Sequence, residues 1–246
     1  MKGMIRAWGY DPGGNERHGV ADLVYSGGAL CLLNVGSVDS SQAAVDWFMA
    51  QPGGRPDAFG VDTLTALSGG KSGWRPADEF LRAAYPGSSQ SVCSPNGLYG
   101  AMCLNGLFVL SGIRSSWPEL PATEAHPKLA WAELCGDLSY PREPADGSWQ
   151  ESWATACERV GADVQIDAEI ASEHAFDACM SALAAIQMAR RVWNFDLHAD
   201  LKAVPSAGLW HPAGLTRFVW PDQARARKPL MLLPVCPTCG GRSHQQ

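Results

Sequence analysis

Residues 4–35, MIRAWGYDPGGNERHGVADLVYSGGALCLLNV, decide the fold. Met4 to Tyr10 alternate imperfectly, as a strand does, and stop at the turn formers Asp11-Pro12-Gly13-Gly14. Two further apolar runs, Gly19 to Tyr25 and Ala29 to Val35, flank the hairpin turn Ser26-Gly27-Gly28. The chain therefore opens with three consecutive antiparallel strands, and an aspartate stands where the first one ends.

Outward from that opening, Asp39-Ser40 predicts a helix start and Ser41 to Ala50 a helix, closed by Pro52-Gly53-Gly54. Residues 57–62, DAFGVD, predict a short fourth strand that again ends on an acid, Asp62. A glycine-rich loop spans 68–76, and Pro76-Ala77-Asp78 opens a short helix to about Ala84. Residues 96–110 predict a buried helix, 122–126 a fifth strand, and Pro127 opens a helix to about Leu134. Residues 137–149 read as loop, and helices are expected at 150–160 and 168–192, the latter Ala-rich with His174, Ala178, Leu183 and Ile186 at helical spacing. The order predicts an α/β fold, a mixed five-stranded sheet with helices on both faces. Beyond Asp200, six prolines from Pro205 to Pro237 break the chain. Residues 1–200 thus read as the domain and 201–246 as a Pro-rich C-terminal extension.

Composition sets outer limits. The 246 residues are 46% hydrophobic and 18% charged, which excludes a disordered acidic chain, a collagen-like fibre and a coiled coil. The net charge of −6 argues against non-specific nucleic-acid binding over the whole surface but leaves room for a local acidic metal site. Ten Trp can be core anchors or stacking platforms. No run approaches the roughly 18 apolar residues of a membrane span, and the start has no secretory h-region, so a cytoplasmic location is expected. Six of the eight Cys are then expected to be reduced small hydrophobes.

The acids carry the chemistry. If the first and fourth strands are parallel neighbours, Asp11 and Asp62 project from the same carboxyl edge. Asp177, near the start of the Ala-rich helix, can lean over it. Three converging carboxylates repel one another unless a divalent cation neutralises them, and hard oxygen ligands suit Mg2+ or Mn2+. Two such ions roughly 3.5–4 Å apart activate water and stabilise a leaving oxygen in phosphodiester hydrolysis. Each acid alone is also ordinary turn or helix-start chemistry.

Asp11-Pro12-Gly13, ending a strand before a hairpin, resembles the opening of Holliday-junction resolvases and other RNase H-like proteins, and His174 to Ala178 resembles the closing helix of that superfamily. Val61-Asp62, Gly73 with Arg75 and Asp78, Ser94-Pro95-Asn96, Glu124-Ala125-His126-Pro127 and His174 to Ala178 together resemble domain-of-unknown-function family 429, predicted nucleases, over roughly residues 5–195. The resemblance implies an RNase H-like fold, with Asp11, Asp62 and Asp177 as metal ligands and nucleic acid or a nucleotide as substrate. It implies that His174, three residues before Asp177 on one helix face, positions water or carries a proton; the alternative is a surface histidine. Glu124 is either a fourth catalytic carboxylate or the partner that orients Arg75. Lys71 and Arg75 are expected to contact substrate phosphate, or to be solvated loop charges. His126 is expected to contact substrate or support the site rather than ligate metal. The same cleft in a non-catalytic RNase H-like module would bind a partner protein or small ligand. An actin-like phosphotransferase is disfavoured because no duplicated half is present.

Three weaker patterns recede. Gly69-Gly70-Lys71-Ser72 fails as a phosphate-binding P-loop because Thr65 stands where glycine is needed. Ser94 lacks a nucleophile-elbow context and reads as a helix cap. Cys236 and Cys239 form a lone CxxC; His244 could add a third Zn2+ ligand, but a reduced thiol pair is the favoured state.

Overall fold

The computed structural model describes residues 3–13, 17–69, 73–93, 100–136, 140–141, 149–201 and 208–232, the side chains of 228–232 excepted. Lys71, Ser94 to Asn96, Cys236, Cys239 and His244 lie outside the described residues.

The opening forms as its pattern predicts. Strands β1 (Met4–Asp11), β2 (His18–Ser26) and β3 (Ala29–Val38) pair antiparallel in sequence. Helix α1 (Ser41–Met49) follows, its first turn capped by the Ser40 hydroxyl, which accepts from the Ala43 N–H at 3.1 Å. Strand β4 (Ala58–Val61) then pairs parallel with β1. Next come β5 (Leu67–Ser68), α2 (Pro76–Ala84), a 3-10 turn over Pro86–Ser91, α3 (Gly100–Ser116), β6 (Ala122–Glu124) and α4 (Pro127–Cys135). The chain continues through α5 (Trp149–Arg159), β7 (Asp163–Ile166), α6 (Glu173–Ala189), β8 (Phe195–Asp196), α7 (Leu197–Asp200), β9 (Leu209–Trp210) and β10 (Val219–Trp220).

The central sheet has six strands rather than five, in the order β6-β4-β1-β2-β3-β7. The extra strand, β7, adds parallel to β3 at the edge. The expected helix over 168–192 is shorter. Ser172 caps its start through the Ala175 N–H, and Arg191 leaves it with a left-handed φ of 59°. The helix expected over 96–110 runs on to Ser116, and it is not fully buried: Leu104 and Phe108 are exposed.

Alternation along β1 sorts the core into two layers. Ile5 and Ala7 join the core on the side of α4, α5 and α6, whereas Trp8 and Tyr10 join Phe48, Phe59, Val109 and Leu110 on the side of α1 and α3. Trp8, Trp153 and Trp220 are fully buried, so these indoles are core anchors. Phe218, Val219, Trp220 and Ala224, from the stretch read as an extension, pack into the same core as α6. The Trp220 Nε1–H donates to the Tyr85 hydroxyl at 2.9 Å. No helix among the described residues is long and apolar enough to cross a membrane.

Candidate metal centre

Strand parity aims the first two acids. Asp11 follows Ile5, Ala7 and Gly9 on the α6 face of β1, and Asp62 follows Ala58 and Gly60 on the same face of β4. The parallel register pairs Tyr10 with Val61, and the Asp62 N–H donates to the Tyr10 carbonyl at 2.9 Å. The two carboxylates therefore leave adjacent strand ends side by side.

Glycine brings the third. A Cβ on Gly9 would lie 1.9 Å from the Ala178 carbonyl oxygen, and one on Gly60 would lie 1.9 Å from that of Ser181. Only hydrogen at these positions lets the α6 backbone rest on the sheet, and Asp177 comes down with it. One carboxylate oxygen each from Asp11, Asp62 and Asp177 lies within 4.8 Å of the other two. Oxygens sharing one Mg2+ stand up to about 4.2 Å apart, twice a bond of about 2.1 Å, so small side-chain rotations would close the set on a cation.

The charges are costly where they are. Burial, then the Asp11 and Asp177 charges, raise the pKa of Asp62; burial and Asp11 do the same for Asp177. Burial also raises that of Asp11, against the pull of His174. His174 Nδ1 bonds Asp11 Oδ2 at 2.5 Å, and that bond raises the imidazole pKa. The His174 side chain is still 31% exposed, so it reaches both the carboxylate and water.

Three neighbours were not legible in the sequence. The Tyr140 hydroxyl donates to Asp177 Oδ1. Lys128, second residue of α4, pairs with Glu173 at 2.9 Å and lies 5.7 Å from the Tyr140 ring centre. Burial alone would lower the Lys128 pKa, but the Glu173 bond and the Asp177 charge raise it, keeping an ammonium beside the acids. Glu173 and Tyr140 carry no motif, and only the docking of α4 against α6 reveals Lys128.

Glu124 settles into one of the two roles expected of it, and Arg75 into neither of its own: it is a buried ion-pair residue, not a phosphate contact or a solvated loop charge. Arg75 is 1% exposed and uses all five N–H donors: Nε and Nη2 on Asp78, Nη1 and Nη2 on Glu124, and Nη1 on the Ala66 carbonyl. None is left for a phosphate, so the expectation of a phosphate contact at Arg75 is corrected to a structural one. Glu124 accepts from Arg75 at 2.6 and 2.8 Å and from the Thr65 N–H and hydroxyl at 2.8 and 3.0 Å. Burial would raise its pKa, but Arg75 overrides it and lowers it. Glu124 is thus the partner of Arg75 and not a fourth carboxylate of the acid cluster. His126 Nε2 lies 3.2 Å from the Ser91 carbonyl, which fixes the proton there, and burial lowers its pKa to about 4, leaving a neutral ring.

Beside the acids is a pocket of about 290 Å³, lined by Asp62, His126 and Lys128 together with apolar residues of α2, α3 and the loops after β4 and β6. It lies past the carboxyl ends of the parallel strands, where open α/β sheets bind ligands. No family model, curated protein or solved structure matches the chain.

Proposed function

We propose that the protein is an RNase H-like, divalent-metal-dependent nuclease that hydrolyses phosphodiester bonds, with Asp11, Asp62 and Asp177 holding Mg2+ or Mn2+. The observation that carries this reading is the meeting of three carboxylates, from β1, the end of β4 and α6, in one half-buried to buried cluster whose pKa values are all raised. A fold retains such repulsion where something binds and relieves it. The bound cation supplies charge neutralisation and an acidified water. His174 holds Asp11 in place through Nδ1 and, being partly exposed, exchanges a proton with solvent near the attacking water. Tyr140 orients Asp177 in the same way. Lys128 offers a cation to a phosphate oxygen at the rim, the role Arg75 has no donor to fill.

A second reading, a non-catalytic module that binds a ligand in the same cleft, draws support from the net charge of −6. The two are separated by Mn2+-dependent cleavage of a mixed DNA and RNA panel. The nuclease reading expects cleavage that Asp62→Asn abolishes in a folded protein. Cation binding without cleavage of any member favours the module.

A further inference from the structure

The pocket beside the acids is lined by Asp62, one of the three carboxylates of the metal centre, and by Lys128, so a group bound there borders whatever the carboxylates hold. Leu64, Leu81, Val92, Met102, Ala125 and Phe218 make its walls apolar. Thr63, Gln90, Ser91 and His126 add polar groups, and the Arg75–Asp78–Glu124 ion cluster also borders it. Its volume of about 290 Å³ stands at the floor of the range of about 300–1,000 Å³ for small-molecule sites, a size that suits one ring system.

Taking the phosphate to lie at the acid cluster, as the proposed function has it, we infer that this pocket receives a single nucleobase of the substrate, unstacked from its neighbours. A base, with flat apolar faces and a polar edge, suits a lining of apolar side chains interspersed with polar groups, and Asp62 in that lining puts the base next to the carboxylates that would hold the phosphate. The preferred substrate is accordingly a nucleotide whose base is free to leave the stack, in a single strand, at an unpaired position or as a mononucleotide. A continuous duplex is not admitted without flipping a base out.

The test compares adenosine 5′-monophosphate with ribose 5-phosphate, which keeps the sugar and phosphate and lacks the base, by calorimetric titration in the presence of Mn2+. The wild type is expected to bind adenosine 5′-monophosphate at least tenfold more tightly. Met102→Trp, and independently Leu64→Phe, fill the pocket and are expected to remove that advantage while leaving affinity for ribose 5-phosphate and Mn2+ in place. Equal affinities in the wild type, or an advantage that survives both fillings, overturn the inference and leave the metal centre standing. Absence of Mn2+ binding by the wild type overturns the metal centre and the inference with it.

Discussion

Asp62 differs from its two companions at the level of single bonds. Asp11 is held by His174 and Asp177 by Tyr140, while no hydrogen bond to the Asp62 carboxylate is present among the described residues. Asn at this position therefore removes charge without breaking a described contact. In metal-free protein, Asp62→Asn is expected to raise the melting temperature by about 2–4 °C, the equivalent of about 1 kcal/mol of relieved repulsion. Calorimetry in the presence of a chelator checks this; a fall of several degrees contradicts it. Glu124 has the opposite balance. Its folded pKa is depressed, so its contribution is present above the unfolded value of about 4.3 and is lost as pH falls through the lower folded one. Glu124→Gln strands part of the Arg75 charge and is expected to cost about 3–5 kcal/mol at pH 7. Urea unfolding at pH 7 and pH 3.5 should find the gap from wild type narrowed at the lower pH, and an unchanged gap refutes the ion-pair account. Asp11 and Asp62 were legible because strand-end acids of equal parity announce themselves in the sequence. Arg75 was not, because whether a guanidinium has a donor to spare depends on Asp78, Glu124 and Ala66, which only folding assembles.

Helix α6 is the element on which the site turns. Its backbone touches β1 at Gly9 and β4 at Gly60, and its residues from Ala175 to Met188 are all buried. Gly60→Ala puts a Cβ 1.9 Å from the Ser181 carbonyl oxygen and has to lift the helix. It is expected to cost about 2 kcal/mol and to weaken Mn2+ binding at least tenfold, because Asp177 moves with α6. Gly36→Ala, where nothing lies within 4 Å of the added Cβ, is the matched control and should leave both unchanged. Equal metal affinity in the two variants removes α6 packing from the account. The Ala-rich run gave this helix away in the sequence. Strand β7 escaped because Asp163-Val164-Gln165-Ile166 is only four residues long and half-buried on one face, at the tight turn after α5. The two-residue strands β5, β8, β9 and β10 are shorter than any period that could reveal them.

Across the whole molecule, the prolines after Asp200 suggested an appendage, yet Phe218 and Trp220 reach the main core because Thr123 bridges to Arg217 and Val219 pairs with Asp196. Trp220→Ala is expected to destabilise the protein by about 3–5 kcal/mol, a core-sized effect readable in urea. A loss under 1 kcal/mol would instead make the segment peripheral. The global charge of −6 and the acid cluster together repel phosphate. Nucleotide binding is therefore expected to follow metal binding, and a nucleotide affinity unaffected by chelator contradicts that order. The most direct measurement of the central claim is calorimetric titration of Mn2+ into the wild type and into Asp62→Asn at pH 6 and pH 8. The account predicts binding by the wild type that is no weaker at pH 8 than at pH 6, because protons compete with the cation for carboxylates of raised pKa, and at least a hundredfold weaker in the variant. Indistinguishable titrations of the two proteins, or no heat of binding in the wild type at either pH, would contradict it.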